Sequence, residues 1–422
     1  MINKILKILH TEYQLFDYTN CRKICQYQKL NVFLHILKHN DIMSLLGFKE
    51  ECGLNVLKRE YVERILSDIM RSHGYERITL PVIEPFSSYS EDVVGKSPWP
   101  EWNEKCIFRF NIIDYSNNYE SSDCKANEVC LIPEGTVSIT RWLASIIEGG
   151  GRSQRKLFYS LNCYRNELIT SLSVNKSREF QQFGVELLDF TGVESDIELI
   201  EIVTTLLQAL GINKRAIKIR INDVALFNKL VVLCGIGQDD IMLLKKHLDY
   251  LAECHAGKHA EDYSCTQRKI WALLSKYKME EMYSKIWNSI VDHAYSSIDD
   301  VVCLYPDTFR QDLEPLLKVF SHFSGSGVTM ELDLSVIRSH QYYSGLSFEV
   351  DVVMNQNKYI EIAGGGRYDR LVGTFLKSNN NTSKMQIPCT GFAFGVDRVI
   401  SMMNDMGLFS GTKEISSIFN FK

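Results

Sequence analysis

The stretch from Tyr164 to Glu186 restricts the possible folds more than any other part of the sequence. It joins two segments rich in apolar residues, KLFYSLNCYRNE and REFQQFGVELLDF, through a loop of Ser, Asn, Thr and Lys side chains that no core could use. This pattern predicts a β-hairpin. We therefore expect a sheet in which at least these two neighbouring strands run antiparallel.

The arms of this hairpin carry charged and amide side chains at alternating positions. The period of two along a strand places Arg165 with Glu167 on one face, and Arg178 with Gln182 and Glu186 on one face. Alternating guanidinium and carboxylate groups suit a ligand that carries both phosphate and ammonium groups. A solvated hairpin whose charges pair with one another would explain these residues equally well.

The composition is that of an ordinary globular protein. With 45% hydrophobic and 23% charged residues, the 422-residue chain can bury a sizeable core, which argues against a disordered or fibrous protein. The formal net charge of −5 predicts no general attraction to nucleic acid, although a local basic patch would still be possible. This balance argues against a protein that only binds nucleic acid.

The cysteines and the N-terminal sequence predict a cytoplasmic protein. Twelve cysteines are scattered without a disulfide framework, and no secretory signal opens the chain. No stretch of about 18 uninterrupted apolar residues predicts a membrane span. Cys254, His255, His259 and Cys265 lie close together but match no common zinc-binding spacing, so no metal site is predicted.

Periodicity divides the chain into four parts. Residues 1–45 show helical periodicity and predict a helical appendage, and residues 46–222 alternate strands with helices. Residues 223–323 predict a helical insertion, after which strands resume in residues 324–422. Because hairpins replace regular βαβ units, we expect an α+β fold with a mainly antiparallel sheet flanked by helices.

Two short motifs in the first half suggest local structure. Pro81 interrupts the predicted strand RITLPVIEPF, which favours an edge or bulged position, a usual place for a bend or a subunit contact. Further on, PEGT joins a strand to a helix. We expect Thr136 to cap that helix and Glu134 to lie beside its positive end, where the carboxylate could serve an ammonium ligand or only the cap.

Two features near the C-terminus leave two interpretations open. The glycines at 364–366 would let the backbone approach a ligand or partner closely, and a plain turn would explain them as well. Arg398, near the start of the last predicted helix, could meet a phosphate or pair with a carboxylate. No GxxxxGK[ST] loop follows a strand, so ATP, if bound, would lie on a sheet.

Five sequence blocks occur in an order that resembles one enzyme family. They are PEGT, YRNE with REFQQFGVE, YYSGLSFE, GGGRYDRLV and GFAFGVDR. Together they resemble the catalytic domain of class II aminoacyl-tRNA synthetases, specifically histidyl-tRNA synthetase, from about Gly47 to Met403. The resemblance implies that residues 46–222 and 324–422 are the two halves of a catalytic core, with a homodimer interface near Pro81.

The resemblance also implies a catalytic and ATP-binding set, which comprises Arg165, Glu167, Arg178, Phe180, Arg338 and Arg398. Arg165 and Arg338 would hold the α-phosphate, where charge develops during adenylation. Arg398 would hold the terminal phosphate. Glu167 would read the adenine amino group and Phe180 would stack on the ring, while Mg²⁺ would bridge the outer phosphates.

The amino-acid pocket that the resemblance implies consists of Glu134, Thr136, Gln182, Glu186, Tyr343 and Tyr368. The first three match positions that hold an α-ammonium group. Glu186 and Tyr343 match positions that hold an imidazole, a ring whose two nitrogens require partners on opposite edges. Histidine, or an amino acid shaped like it, is the implied substrate.

The sequence departs from this family in three places. Residues 338–343 read RSHQYY where the family has Arg-Gly-Leu-Asp-Tyr-Tyr, which implies a reshaped imidazole pocket. Leu168 stands where an arginine often follows YRNE, which could alter ATP affinity or acceptor recognition. Only 24 residues follow Arg398. The family normally continues there into an anticodon-binding domain of about a hundred residues, so we expect that domain to be missing.

Two hypotheses of different classes follow. The first is a ligase that activates histidine or a similar amino acid with ATP and Mg²⁺, and passes the acyl group to a small molecule, a carrier protein or a tRNA. The second is a non-catalytic, histidine-sensing regulatory subunit of an ATP phosphoribosyltransferase. Such a sensor does not need three phosphate-facing arginines, so Arg165, Arg338 and Arg398 favour the enzyme.

Overall fold

In the computed structural model, the chain divides into two compact units. The larger comprises residues 51–168 and 177–422, and the smaller comprises residues 1–50 and 169–176. The structure describes residues 45–95, 106–114, 125–167, 177–255, 262–292, 298–337, 342–354, 359–377 and 385–411. Except for Leu45, the predicted N-terminal appendage lies outside these residues. None of the described helices has the length and apolar character that crossing a bilayer requires.

A large sheet forms the centre of the larger unit. Its strands, in spatial order, are β1 (Glu76–Arg77), β5 (Arg155–Tyr164), β6 (Glu179–Leu188), β11 (Cys389–Gly395), β10 (Tyr359–Arg367), β9 (Leu346–Val353), β7 (Ile217–Asp223) and β8 (Thr329–Leu332). The β1–β5 and β7–β8 pairs at the two edges are parallel, and the other pairs are antiparallel. The predicted α+β fold with a mainly antiparallel sheet is confirmed.

A smaller sheet contains β2 (Ile83–Pro85), β4 (Lys125–Leu131) and β3 (Arg109–Asp114), in that order. The prediction of one continuous strand through RITLPVIEPF is wrong. Its first residue, Arg77, ends β1 of the large sheet, and Ile83–Pro85 form β2 of the small one. Pro81 lies between them. Because proline has no backbone N–H and keeps the preceding residue out of helical geometry, the chain bends here from one sheet to the other.

Helices flank the two sheets. They are α1 (Leu54–Ser72), α2 (Glu91–Val94), α3 (Gly135–Glu148), α4 (Val193–Ala209), α5 (Val224–Leu233), α6 (Gln238–His255), α7 (Tyr263–Leu274), α8 (Glu281–Asp292), α9 (Ile298–Leu304), α10 (Arg310–Phe323) and α11 (Val396–Asp405). Helices α5 to α10 follow one another between β7 and β8, and no described residue of that segment lies in a strand. The four-part division of the chain stays a prediction.

The two faces of the large sheet meet different parts of the core, because side chains alternate along a strand. On one face, Leu157 and Tyr159 join a buried cluster with Leu143 of α3. On the other face, Phe158 packs in the larger core with Leu66 of α1. The face beneath α3 is the one that carries the predicted site residues of β6.

Candidate active site

The hairpin of β5 and β6 carries several of the predicted site residues. Pairing continues beyond the two strands, since the Arg165 backbone N–H donates to the Arg178 carbonyl over 2.9 Å. Within β6, Phe180, Gln182 and Glu186 are separated by even numbers of residues and lie on one face. The predicted hairpin is confirmed. Glu186 is fully buried, which excludes a freely solvated hairpin at this position.

Arg165 lies at the end of the hairpin, between a backbone carbonyl and an aromatic ring. Its Nε donates to the Pro133 carbonyl at 3.2 Å, and its guanidinium carbon is 4.7 Å from the centroid of the Phe180 ring. Burial lowers the pKa of Arg165 below its ordinary value. The group remains a cation at neutral pH, because a guanidinium is not deprotonated in proteins.

Two other predicted ATP ligands have described contacts. The Arg178 Nε donates to the Glu167 carbonyl at 3.3 Å, so the two residues join the two ends of the hairpin loop. Arg398 lies in the first turn of α11, is exposed, and donates from Nη1 to the Glu361 carbonyl at 3.0 Å. Arg338 lies outside the described residues.

Glu134 precedes the first residue of α3 and is almost completely buried. Its side chain makes no capping hydrogen bond. The Tyr342 hydroxyl instead donates to its two carboxylate oxygens at 3.3 and 3.1 Å. The prediction that Thr136 caps the helix is wrong, because the helix begins at Gly135, which makes Thr136 its second residue, and the Thr136 hydroxyl donates to Glu186.

Glu186 is the second buried carboxylate of this face. Its Oε1 accepts from the Thr136 hydroxyl at 2.8 Å, and its Oε2 accepts a short hydrogen bond from the Tyr368 hydroxyl. Burial raises the pKa of Glu186 to about 8, while the two hydrogen bonds oppose this shift and Glu134 adds to it. Near neutral pH this carboxyl group can therefore exchange a proton with a basic ligand.

A glycine of the neighbouring strand β11 leaves the space that Glu186 occupies, and a second glycine lies opposite it in β10. Gly391 is its partner across β6 and β11, and a Cβ at Gly391 would lie 1.6 Å from the Glu186 Oε2. Gly366 pairs with Gly391, and a Cβ there would lie 2.3 Å from the Leu346 carbonyl oxygen. The glycines at 364–366 thus belong to the middle of a sheet, and the interpretation as a plain turn is wrong.

Gln182 connects the strand to the beginning of α3. Its Oε1 accepts from the Gly135 N–H at 3.3 Å and from the Cys163 thiol at 3.2 Å. Gln182 and Glu186 of β6 are therefore linked to Gly135 and Thr136 in the first turn of α3, directly after Glu134. The hydrogen-bonding groups that the sequence singles out for an amino acid lie together in the structure.

Three tyrosines add aromatic surface to this group. The ring centroids of Tyr342 and Tyr343 are 4.9 Å apart, and those of Tyr342 and Tyr368 are 6.1 Å apart. Tyr342 was not predicted as a site residue, although its position next to Tyr343 was a signal. Tyr159 was also missed. A Cβ at Gly135 or Gly184 would lie 2.4 or 2.1 Å from its ring carbon Cζ, so its ring fills the floor between β6 and α3.

The raised pKa of Glu186 leads to a prediction about stability. Between the ordinary value of 4.5 and about 8, the folded state binds more protons at this site than the unfolded state. The contribution of Glu186 to the free energy of unfolding therefore falls as pH rises through this window. Glu186→Gln removes this dependence, so urea unfolding of the variant should respond less to pH than that of the wild type.

The exposed Glu128→Gln variant serves as the control for this experiment. Its unfolding free energy should follow the wild-type pH dependence. If Glu186→Gln also keeps the wild-type slope across the window, the buried carboxyl group does not have the raised pKa.

No group of three or more His, Cys, Asp or Glu side chains among the described residues is arranged to hold a metal ion. All the cysteines that the structure describes are free thiols.

Known proteins resemble this chain in sequence. A family profile described as histidyl-tRNA synthetase matches residues 53–399. The histidine–tRNA ligase of Saccharolobus solfataricus is 25% identical over 369 residues, which cover 86% of this chain and 76% of that protein. The family match spans most of the chain and includes the hairpin, the PEGT turn and the glycine-rich strands.

Two solved structures share the fold. A histidine–tRNA ligase subunit from Alicyclobacillus acidocaldarius has a TM-score of 0.63 at 20% identity, and the match covers 87% of this chain and 99% of that one. A protein described as an ATP phosphoribosyltransferase regulatory subunit/histidyl-tRNA synthetase from Bacillus halodurans has a TM-score of 0.63 at 19% identity, with coverage of 86% and 83%. Both likenesses support the fold alone.

Proposed function

Because this chain belongs to the histidyl-tRNA synthetase family, we propose that it uses ATP to convert histidine, or a closely similar amino acid, into an aminoacyl adenylate. One observation carries the proposal. A cation stacked on an aromatic ring, Arg165 on Phe180, and the buried carboxyl group of Glu186 lie on one face of the large sheet, and a second buried carboxyl group, Glu134, lies at the start of helix α3, which packs on this face. Such a face offers a place for a nucleotide phosphate beside a place for an amino acid.

The proposed ATP half rests on Arg165 and Phe180. An aromatic ring offers the adenine a flat apolar surface, and a guanidinium binds phosphate oxygens through two parallel hydrogen bonds. The Pro133 carbonyl holds the Arg165 Nε, so the guanidinium is oriented before ATP binds. We propose that Arg398 and Arg338 supply further positive charge and that Glu167 and Arg178 support the adenine end. Mg²⁺ would enter with ATP and would neutralise part of the phosphate charge.

The proposed amino-acid half rests on the two buried carboxylates. Glu134 would accept from the α-ammonium group together with Thr136 and Gln182. Glu186, with Tyr343 and Tyr368, would meet the imidazole. A carboxyl group with a pKa of about 8 can take up or release a proton as the ring binds, which suits a ligand that itself titrates near neutral pH.

Adenylation needs no acid or base from the protein. A carboxylate oxygen of the amino acid attacks the α-phosphorus, the bond to the β-phosphate oxygen breaks, and pyrophosphate leaves. Negative charge builds on the α-phosphate oxygens during this step. Positive groups fixed beside them, which we propose to be Arg165 and Arg338, lower the barrier because they need no reorganisation as the charge develops.

The acceptor of the activated acyl group belongs to one of three classes: a tRNA, a carrier protein or a small molecule. The names of the relatives support tRNA. The chain itself carries a net charge of −5, which disfavours extended contact with a nucleic-acid backbone. We also propose that the protein works in the cytoplasm, since its described cysteines are free, as expected in a reducing compartment.

Exchange of labelled pyrophosphate into ATP tests the proposal, with each standard amino acid supplied in turn. Exchange that requires histidine supports activation of histidine. Exchange with a different amino acid would support an enzyme that forms an aminoacyl adenylate, but its substrate would be that amino acid. Histidine binding without exchange with any amino acid would contradict the proposal and favour the regulatory subunit of an ATP phosphoribosyltransferase.

We further propose that the protein is a homodimer, in which the small sheet takes part in the interface. Ile83, Phe110 and Ile112 lie on one face of this sheet and are each between 41% and 47% exposed. A contiguous group of exposed apolar side chains on a protein surface is typical of an interaction site. The region also follows Pro81, where the sequence predicted a subunit contact.

The double variant Ile83→Asp/Phe110→Asp should therefore have the mass of a monomer in light scattering, whereas the wild type should have the mass of a dimer. Charged side chains buried without partners in an interface are strongly unfavourable. The control is Leu233→Asp on α5, which replaces an apolar residue that is 45% exposed outside the sheet. A double variant that remains dimeric would exclude this face from the interface.

A further inference from the structure

Gln181 lies between two proposed ligands in the sequence, Phe180 and Gln182, but its side chain is on the opposite face of β6. It is only 9% exposed. Its Oε1 accepts from the Arg59 Nη1 at 3.0 Å, and its Nε2 donates to the Glu63 carboxylate at 3.1 Å and to the Ser160 hydroxyl at 2.8 Å. One amide thus ties helix α1 to strands β5 and β6.

The backbone of Gln181 is held as well. The register between β11 and β6 ends at the pair Gly395 and Gln182, so the ladder gives the Gln181 N–H no partner on β11. Asp397 in the first turn of α11 accepts this N–H through Oδ2 at 3.0 Å. The other oxygen of Asp397 accepts from the Arg59 Nη2 at 2.6 Å. Helix α11 is therefore attached to β6 through the residue directly before Arg398.

These contacts form one network of Arg59, Glu63, Ser160, Gln181 and Asp397. Gln181 fixes the position of β6 at Phe180, and Asp397 fixes the beginning of α11 at Arg398. The two proposed ligands at the ends of the network both belong to the ATP half of the site. The amino-acid half depends on other contacts, which join β6 to α3 and to the tyrosines.

We infer that Gln181 and Asp397 are positioning residues for the ATP half of the site. They touch neither substrate. They set the distance between Phe180 and Arg398, which would hold opposite ends of the nucleotide. This inference rests on the proposed function for the identity of the ligand, and it makes a separate prediction: loss of the network should weaken ATP binding and leave histidine binding unchanged.

Three variants test the inference in the full-length protein. Gln181→Met keeps the length of the side chain and removes the amide, and Asp397→Ala removes the acceptor from a partly exposed surface position. Asp397→Asn keeps an oxygen that can accept the Gln181 N–H, and it replaces the oxygen that accepts from Arg59 by an NH₂ group. It therefore loses the ion pair and hydrogen bond with Arg59, which keeps its bond to Glu51, and ion pairs near the surface contribute little. Gln267→Met is the matched control, because this glutamine bridges to Val291 and Asp292 within the helical segment.

The measurements are the dissociation constant for MgATP by calorimetry, and the KM values for ATP and histidine in pyrophosphate exchange. We expect Gln181→Met and Asp397→Ala to raise the constants for ATP by about tenfold, the effect of losing a buried hydrogen bond. The KM for histidine should stay at the wild-type value. Asp397→Asn and Gln267→Met should resemble the wild type in both.

The outcomes separate the inference from the proposed function. Wild-type protein that binds MgATP without catalysing exchange would overturn the proposed function. The inference would then be decided by the dissociation constants of the variants for MgATP, measured by calorimetry. Wild-type protein that does not bind MgATP would overturn both. If Gln181→Met and Asp397→Ala change the constants for ATP and for histidine equally, or leave the constants for ATP unchanged, the inference is overturned. Exchange by the wild-type protein would still support the proposed function.

Discussion

Replacing Arg165 with methionine should lower the rate of histidine-dependent pyrophosphate exchange by about 10²- to 10³-fold, the usual cost of removing one fixed group that stabilises transition-state charge. Arg165 is held by the Pro133 carbonyl and lies over the Phe180 ring, so its guanidinium group is already oriented. Methionine preserves much of the apolar stem and removes the charge. Histidine affinity, measured by calorimetry, should change little, because the effect arises where charge develops during the reaction.

Arg310→Met is the control for this variant. Arg310 lies in α10, pairs with Asp307 at 3.0 Å, and belongs neither to a proposed ligand set nor to the network around Gln181. Its exchange rate should match that of the wild type. If Arg165→Met retains the wild-type exchange rate while folded, Arg165 does not act on the α-phosphate. If it loses histidine binding as well, its role is structural.

The second large effect is expected at Glu134. Glu134→Ala should weaken histidine binding by about 1 to 3 kcal/mol, because the α-ammonium group would lose the acceptor that offsets its desolvation. The carboxylate is 6% exposed and receives the Tyr342 hydroxyl, so it is already held in place. It makes no capping bond to α3, so the variant removes no helix cap.

Calorimetric titration with histidine and with histamine separates the ammonium contact from other effects. Histamine keeps the ammonium and the imidazole and lacks the carboxylate, so Glu134→Ala should weaken the binding of both ligands. Imidazole alone lacks the ammonium, and its binding should be unaffected. The exposed Glu128→Ala variant is the control. Unchanged histidine affinity in Glu134→Ala would remove this residue from the proposed pocket.

The hairpin and its shared face could be predicted from the sequence because they depend on local signals. Alternation of apolar and polar residues defines β5 and β6, and the polar loop marks the reversal between them. The spacing of Phe180, Gln182 and Glu186 then places them on one face. The error at Thr136 was also local: the helix begins at Gly135, two residues earlier than a cap at Thr136 would place it.

The contacts across the site could not be predicted in this way. The Tyr342 hydroxyl meets Glu134 across 208 residues of sequence, and Tyr368 meets Glu186 across 182. These contacts depend on the order of β6, β11, β10 and β9 in the sheet, which no local pattern encodes. The same applies to Gly391, whose lack of a side chain makes room for Glu186 only because β11 pairs with β6 in this register.

Isolation of the reaction intermediate tests the central claim most directly. The protein would be incubated with histidine, Mg²⁺, inorganic pyrophosphatase and ATP labelled at the α-phosphate, passed rapidly through a gel-filtration column, and analysed for bound small molecules by mass spectrometry. The account predicts bound histidyl adenylate that carries the label, requires histidine, and forms about 10²- to 10³-fold more slowly with the Arg165→Met variant. Recovery of unchanged ATP and histidine from wild-type protein that binds both would contradict it.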